Sequence, residues 1–329
     1  MNKDVFITVG ELADYINCSV IGNRNKKIYG ISLYYESTDD MLTYITYDKI
    51  DKIKDIEAGV ILTQASIGLQ LHRNYIITKQ EPYSYLADII KFFIEKGIFC
   101  VKSSEKPKIS ENVDISEYVS IGKGTCIAEY TVISSGVTIG DNVKIGKNCI
   151  IGANTVIGDN TIIGDNVKIG SCCSIGTENF EFFKMKNKWI KIPQVGSVNI
   201  HNNVYISGNV VIEKGTIGVT EIGAYTQIGS IVKIGHEVKI GIHCHIVSCV
   251  AIAGWAKIGN YVDIYGQAAV SNYIQVGDNS VLLARAGVDK NIKDNTIVSG
   301  FPAQNHYTEL KFQAFLRKIF RKNNMKGLK

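Results

Sequence analysis

From residue 109 onward, isoleucine returns at every sixth position: 109, 115, 121, 127, 133, 139, 145, 151, 157, 163, 169 and 175. The beat resumes at 200, 206 and 212, restarts at 222, and runs through 228, 234, 240, 246, 252, 258 and 264 to Val270, Val276 and Leu282. Two places before the repeated position stands a second small or branched residue, among them Val143, Thr155, Val167, Val232, Val238 and Cys244. Pairing at i−2 and i marks a short strand with one buried face. The Gly-Asp-Asn or Gly-Lys-Asn that follows supplies a turn. Six residues cannot bury their own apolar side, so successive units must stack into a solenoid. A helix does not fit, because its period is about 3.6 residues and β-branched residues dominate here.

Residues 1–100 do not repeat. Thr8 and Glu11 form a T-x-x-E capping box in front of an amphipathic helix. Apolar strands follow at 59–63 (GVILT) and 74–79 (NYIITK), then a helix within PYSYLADIIKFFIEKG, giving a small α/β domain. Residues 101–108 read as a linker, and 109–305 as the solenoid with an insertion at about 177–195. Residues 306–329 read as a basic amphipathic helix, with Leu310, Phe312, Phe315, Leu316, Ile319 and Phe320 on one face and Lys and Arg opposite. The apolar face is expected to pack on the solenoid end or on neighbouring subunits. Arg317, Lys318, Arg321 and Lys322 would attract an acidic carrier protein or the phosphates of coenzyme A.

Composition narrows the class. Hydrophobic residues make up 45% and charged ones 20%, an ordinary soluble balance, and a net charge of +5 is too small to argue for nucleic acid. The eight cysteines contain no CxxC pair, so neither a zinc knuckle nor a disulfide framework is expected. Cys149, Cys173 and Cys244 occupy inward slots of the repeat, where Cys acts as a small apolar residue. The first residues include acids and lack a long apolar core, and no run approaches the roughly 18 apolar residues of a membrane span. A cytoplasmic location is expected.

One turn carries chemistry. The slot two places after the repeated Ile normally holds a turn-former; in IVKIGHEVKIG (231–241) it holds His236. An imidazole, with an unperturbed pKa of about 6.5, is the side chain best poised to accept a proton near neutrality. Gly254 lies eighteen residues on, which stacks it one coil above. His243, His245 and His201 are expected on the surface; the first two, at spacing two, could suggest a metal, but no carboxylate accompanies that pair in a recognisable pattern.

The repeat resembles that of the hexapeptide acyltransferases, left-handed parallel β-helices with three hexads to a coil. Other segments make the resemblance more specific: GELADYI, MLTYITYDK at 41–49, EPYSYLADI at 81–89, KWIKIPQVG at 188–196, IEKGTIGVT at 212–220, VKIGHEVKIG and VSGFPAQ at 298–304. Over nearly its whole length the chain is similar to the UDP-3-O-(3-hydroxyacyl)glucosamine N-acyltransferase family. That resemblance implies a mainly β fold: a left-handed β-helix with an N-terminal α/β domain of nucleotide-binding type and a C-terminal helix. It implies a homotrimer without covalently bound cofactor or metal, which transfers an acyl group from acyl-CoA or acyl carrier protein to the amine of a nucleotide-linked sugar. It makes His236 the general base and the Gly254 N–H an oxyanion donor. It places substrate contacts at Tyr44, as a stacking platform for the base, and at Tyr47, Phe180, Gln194, Ser230 and Tyr273.

This sequence departs from the family pattern at these sites. Gly229-Ser230 stands for Asp-Asn, Tyr273 for a second histidine, and Tyr47 for an Asn. Glu178-Asn179-Phe180-Glu181 stands for Asp-Gly-Phe-Gly, and Glu213-Lys214-Gly215 for Asp-Arg-Gly. Such changes imply a relative with another amino-sugar acceptor or a shorter acyl group. The alternatives are the lipid A enzyme itself, a sugar O-acetyltransferase, or a solenoid without catalysis.

Overall fold

Each six-residue unit becomes a two-residue strand and a turn in the computed structural model, which describes residues 5–64, 73–99 and 104–324. The strands form three parallel sheets of nine, eleven and nine strands among the described residues; one strand at the end of the eleven-stranded sheet pairs antiparallel. Cys126–Ile127, Val132–Ile133 and Thr138–Ile139 are successive members of the first, second and third sheet. In regular coils Ile127 pairs with Ile145 and Ile133 with Ile151, eighteen residues along. The result is a parallel β-helix. Three hexads close one coil, and every sixth residue points inward.

The core is a column of these inward residues: Ile133, Ile151, Ile200, Ile212, Ile222, Ile234, Ile246 and Ile264 are fully buried. Burying each side chain contributes about 1.5–3 kcal/mol, and stacking supplies the partner surface that one hexad lacks. Ile109 and Ile115 share the beat yet are 42% and 37% exposed, because they begin the stack and have no coil beneath them. Cys149, Cys173 and Cys244 are buried as free thiols. Burial pushes all three thiols above their ordinary range, Cys244 to about 11, which leaves them packing groups rather than nucleophiles.

Each turn places one residue in the left-handed region, and Asn fills that place at 142, 148, 154, 160 and 166. Asn tolerates this conformation because its short amide bonds locally. The side chain just before often caps the coil below: Asp141 Oδ1 accepts from the Lys123 N–H, and Asp159 Oδ1 from the Asp141 N–H, each at 2.8 Å.

A separate compact unit comprises residues 1–103, 178–196 and 215–218. Helix α1 (Val9–Tyr15) starts at the expected capping box: the Glu11 N–H donates to Thr8 Oγ1 at 3.2 Å, and the Thr8 N–H to Glu11 Oε2 at 2.7 Å. A four-stranded sheet orders Ser19–Ile21, Asn74–Thr78, Val60–Gln64 and Leu42–Tyr44, the last three parallel. Helix α2 (Leu86–Glu95) buries Leu86, Ile89, Ile90 and Phe93 in the same cluster as Leu12, Val60 and Ile76. Within the insertion, Phe182–Met185 and Lys188–Lys191 form an antiparallel hairpin, which puts Phe183 and Ile190 against that core.

Helix α3 (His306–Asn324) belongs to the solenoid unit. The expected cover over its apolar side by the solenoid end is not found: Phe312, Phe315, Leu316, Ile319 and Phe320 are all exposed. Its first turn is held by Ser299 Oγ, 3.2 Å from His306 Nδ1, and by Gln304 Nε2, which donates to Glu309 Oε2 at 3.3 Å.

Candidate functional site

In the later coils the left-handed turn position changes character. It holds Tyr225, Ile231, Glu237, His243, Trp255, Tyr261 and Tyr273, with φ between 52° and 66°. A bulky or β-branched side chain at positive φ costs on the order of 1–2 kcal/mol where Asn would cost little. The aromatic ones among them all lie on the two corners flanking the first sheet, whereas the third corner holds Ile231, Cys249, Gln267 and Arg285. Tyr225, His243 and Tyr261 form a parallel ring stack on one corner, with centroids 4.7 and 5.1 Å apart. Glu237, Trp255 and Tyr273 lie on the other, at eighteen-residue spacing.

His236 precedes Glu237 on that second corner. The imidazole is largely buried, with 15% of its side chain exposed, and the Glu237 side chain is fully buried. His236 Nδ1 lies 2.6 Å from Glu237 Oε2. With a Glu237 oxygen as acceptor and Nδ1–H as donor, a neutral imidazole carries its lone pair on Nε2. The Trp255 ring meets the imidazole edge-on, with centroids 6.1 Å apart, and Tyr273 stacks on Trp255 at 5.9 Å. A carboxylate, a turn and an indole therefore fix one ring.

Nε2 faces Gly254. A Cβ built on residue 254 would lie 2.5 Å from Nε2, 2.8 Å from Cδ2 and 2.9 Å from Cε1, so this approach requires glycine. The Gly254 carbonyl accepts from the Tyr273 N–H at 3.2 Å, and the Trp255 N–H donates to the His236 carbonyl at 2.9 Å. The Gly254 N–H donates to no acceptor among the described residues, although the residue is buried. Earlier on this corner, the corresponding N–H groups of Lys123 and Asp141 are capped by aspartates. Here the capping ladder is broken, and a proton acceptor and an open backbone donor lie side by side.

The other expected contacts are distributed. Tyr273 is 60% exposed on the same corner. Ser230 sits on the opposite edge of the third sheet, with Oγ 2.7 Å from Ser207 Oγ, and does not join His236. Tyr44 ends a strand of the α/β unit, half-buried, its ring 6.3 Å from Tyr83. The Tyr47 side chain lies outside the described residues. Phe180 is 89% exposed, its ring 4.9 Å from Phe182. Gln194 is buried, and its amide is engaged by the Asn179 backbone and side chain. Next to that pair, Tyr83 and Thr216 hydroxyls donate to the Glu181 carboxylate, so the acid at 181 organises a polar knot in this unit. His243 and His245 are exposed, as expected. His201, expected to be solvated, keeps 43% of its side chain exposed and lies 2.6 Å from Glu221, which also receives Lys239 at 3.2 Å. Burial raises the Glu221 carboxyl, but the bonds from His201 and Lys239 outweigh it and the group lies below its ordinary range. Sequence reasoning missed Glu237 and Trp255; the signal was a His-Glu pair and a Trp in turn slots otherwise rich in Asn. Among the described residues, no group of three or more His, Cys, Asp and Glu could hold a metal.

Comparison with known proteins agrees with this architecture. Residues 142–177 match the bacterial transferase hexapeptide (six repeats) family. The chain is 41% identical over 140 residues to UDP-3-O-acylglucosamine N-acyltransferase 1 of Gloeobacter violaceus, covering 43% of this chain and 40% of that protein. It is 32% identical over 148 residues to the UDP-3-O-acylglucosamine N-acyltransferase of Methylococcus capsulatus, covering 45% and 42%. The chain thus spans about two fifths of the length of these curated relatives. Among solved structures, the Francisella novicida UDP-N-acetylglucosamine acyltransferase superposes with a TM-score of 0.50 at 28% identity, covering 62% of this chain and 73% of that one. The chain is a hexapeptide-repeat parallel β-helix protein. Within that class its sequence likeness is to the UDP-3-O-acylglucosamine N-acyltransferases.

Proposed function

We propose that the protein is an acyltransferase that moves an acyl group from a thioester, acyl-CoA or acyl carrier protein, to the amine of a nucleotide-linked amino sugar. The observation that carries this reading is the His236–Glu237 pair poised over the open Gly254 N–H. The amine nitrogen attacks the thioester carbonyl carbon, and His236 Nε2 takes the proton that the new C–N bond makes acidic. The carbonyl oxygen gains the electron pair and is stabilised by the Gly254 N–H. The tetrahedral species then collapses, the C–S bond breaks, and the imidazolium returns its proton to the departing thiolate. Glu237 keeps the proton on Nδ1 and balances the imidazolium charge while it exists. Within the α/β unit, Tyr44 and exposed Phe180 offer aromatic surface on which a nucleotide base would stack.

Glu237→Gln keeps the shape and removes the anion. It is expected to lower kcat by about 10- to 100-fold, short of the ~10⁴-fold loss known where an amide enforces the wrong imidazole tautomer. Steady-state kinetics with saturating thioester check this; an unchanged kcat would remove Glu237 from the mechanism.

The acceptor and donor are tested by incubating the protein with acyl-CoA and acyl carrier protein thioesters against UDP- and dTDP-linked amino sugars and UDP-N-acetylglucosamine. Thiol release and product mass are read together. An amide product on an amino sugar is expected. Turnover with hydroxyl acceptors alone would make it an O-acyltransferase, and no thiol release with any pair would contradict the reading.

A further inference from the structure

Helix α3 separates two chemistries more cleanly than its length requires. At about 100° per residue, Phe312, Phe315, Leu316, Ile319 and Phe320 fall within one arc of about 140°. Lys311, Arg317, Lys318 and Arg321 fall within the opposite arc, and Leu310 lies on this cationic side rather than with the apolar group. Glu309 is the one acid in the helix and sits in its first turn, beside Gln304 and Gln313. The helix carries a net +4 of the chain's +5, so the rest of the molecule is almost neutral. The five apolar side chains are 41–68% exposed.

We infer that α3 is an interfacial anchor that lies on an anionic lipid surface, with its phenylalanine face in the headgroup boundary and its lysines and arginines at the phosphates. A large apolar arc opposite a cationic one, in a helix whose residues are mostly polar, is the composition of helices that lie in the interface plane. No helix among the described residues is long and apolar enough to cross a membrane, so this helix would lie along the surface and not span it. The charge pattern also argues against a bundle of α3 helices from several copies. Such bundles cross-link their flanks with paired acids and bases, and beyond Glu309 this helix has only bases. Three of the five residues of the apolar arc are Phe, suited to shallow insertion. Membrane attachment of this kind does not depend on the reaction proposed above.

The test is co-sedimentation of the full-length protein with phosphatidylcholine vesicles, with and without phosphatidylglycerol, at low and high salt. The protein is expected to pellet with phosphatidylglycerol vesicles, at least about tenfold more weakly with phosphatidylcholine alone, and more weakly again in high salt. Two double variants, Phe315→Glu with Ile319→Glu and Arg317→Glu with Lys318→Glu, should each lose about tenfold or more in binding. Both are expected to keep the wild-type mass by light scattering and the wild-type Tm. Absence of wild-type binding to anionic vesicles would overturn the inference, as would undiminished binding by either variant. Loss of oligomer mass in the Phe315 and Ile319 variant would assign the apolar face to a second copy instead. Binding to an acidic carrier protein without binding to vesicles would assign the basic face to a protein partner.

Discussion

Replacing His236 with alanine is expected to lower kcat for acyl transfer by ~10²–10⁴, the usual worth of a positioned base, while thermal unfolding stays within a few degrees of wild type. The imidazole is not part of the solenoid core, which is built from Ile234, Ile252 and Val238 beneath it. Its loss removes the hydrogen bond to Glu237, and the deletion opens a route for water to that buried carboxylate. Stability should therefore suffer little, and rate should suffer greatly. Unchanged turnover would place the chemistry elsewhere on the molecule. A collapsed Tm would show the histidine to be a packing residue.

Gly254→Ala should come close to the same loss by a different route. The Gly254 φ lies outside the left-handed region, so the backbone accepts alanine. The space does not, since a methyl group would fall within 3 Å of three imidazole atoms. The ring must leave, breaking the 2.6 Å bond to Glu237 and its edge contact with Trp255. Displacements of about 1 Å in catalytic groups can cost ~10²-fold, and that is the expected fall in kcat, measured beside a Tm close to wild type. If the methyl acts only through the imidazole, adding Gly254→Ala to His236→Ala should cost nothing further. A further drop in the double variant would measure the separate contribution of the Gly254 N–H. Wild-type rates in the single variant would show that the imidazole does not work from this position.

The solenoid was legible because burial repeats: an inward Ile at every sixth residue leaves a trace that no single turn can hide. Where the repeat fails to predict, the cause is the end of the stack, as with Ile109 and Ile115, or a corner given over to another task, as at 178–196 and 215–218. His236 was legible because its slot normally takes turn-formers, and stacking at eighteen residues carried Gly254 with it. Glu237 was not, since a glutamate in a surface turn looks like any solvated charge. In the folded chain it is fully buried and lies against Nδ1. Trp255 and the ring stack were hidden for a related reason: sequence spacing gives the column, but not the direction of each ring. The tail helix is amphipathic, as its sequence reads, and of its two expected covers the solenoid end does not supply one within a single chain; amphipathicity fixes that a face will be covered and leaves open by what.

The most direct test is a crystal structure with an acyl thioester, or the acylated product, bound together with a nucleotide-linked amino sugar. The account predicts the acyl carbonyl oxygen at about 2.7–3.1 Å from the Gly254 nitrogen, with the sugar nitrogen within hydrogen-bond reach of His236 Nε2. An acyl carbonyl bound away from Gly254, with His236 turned to solvent, would contradict it.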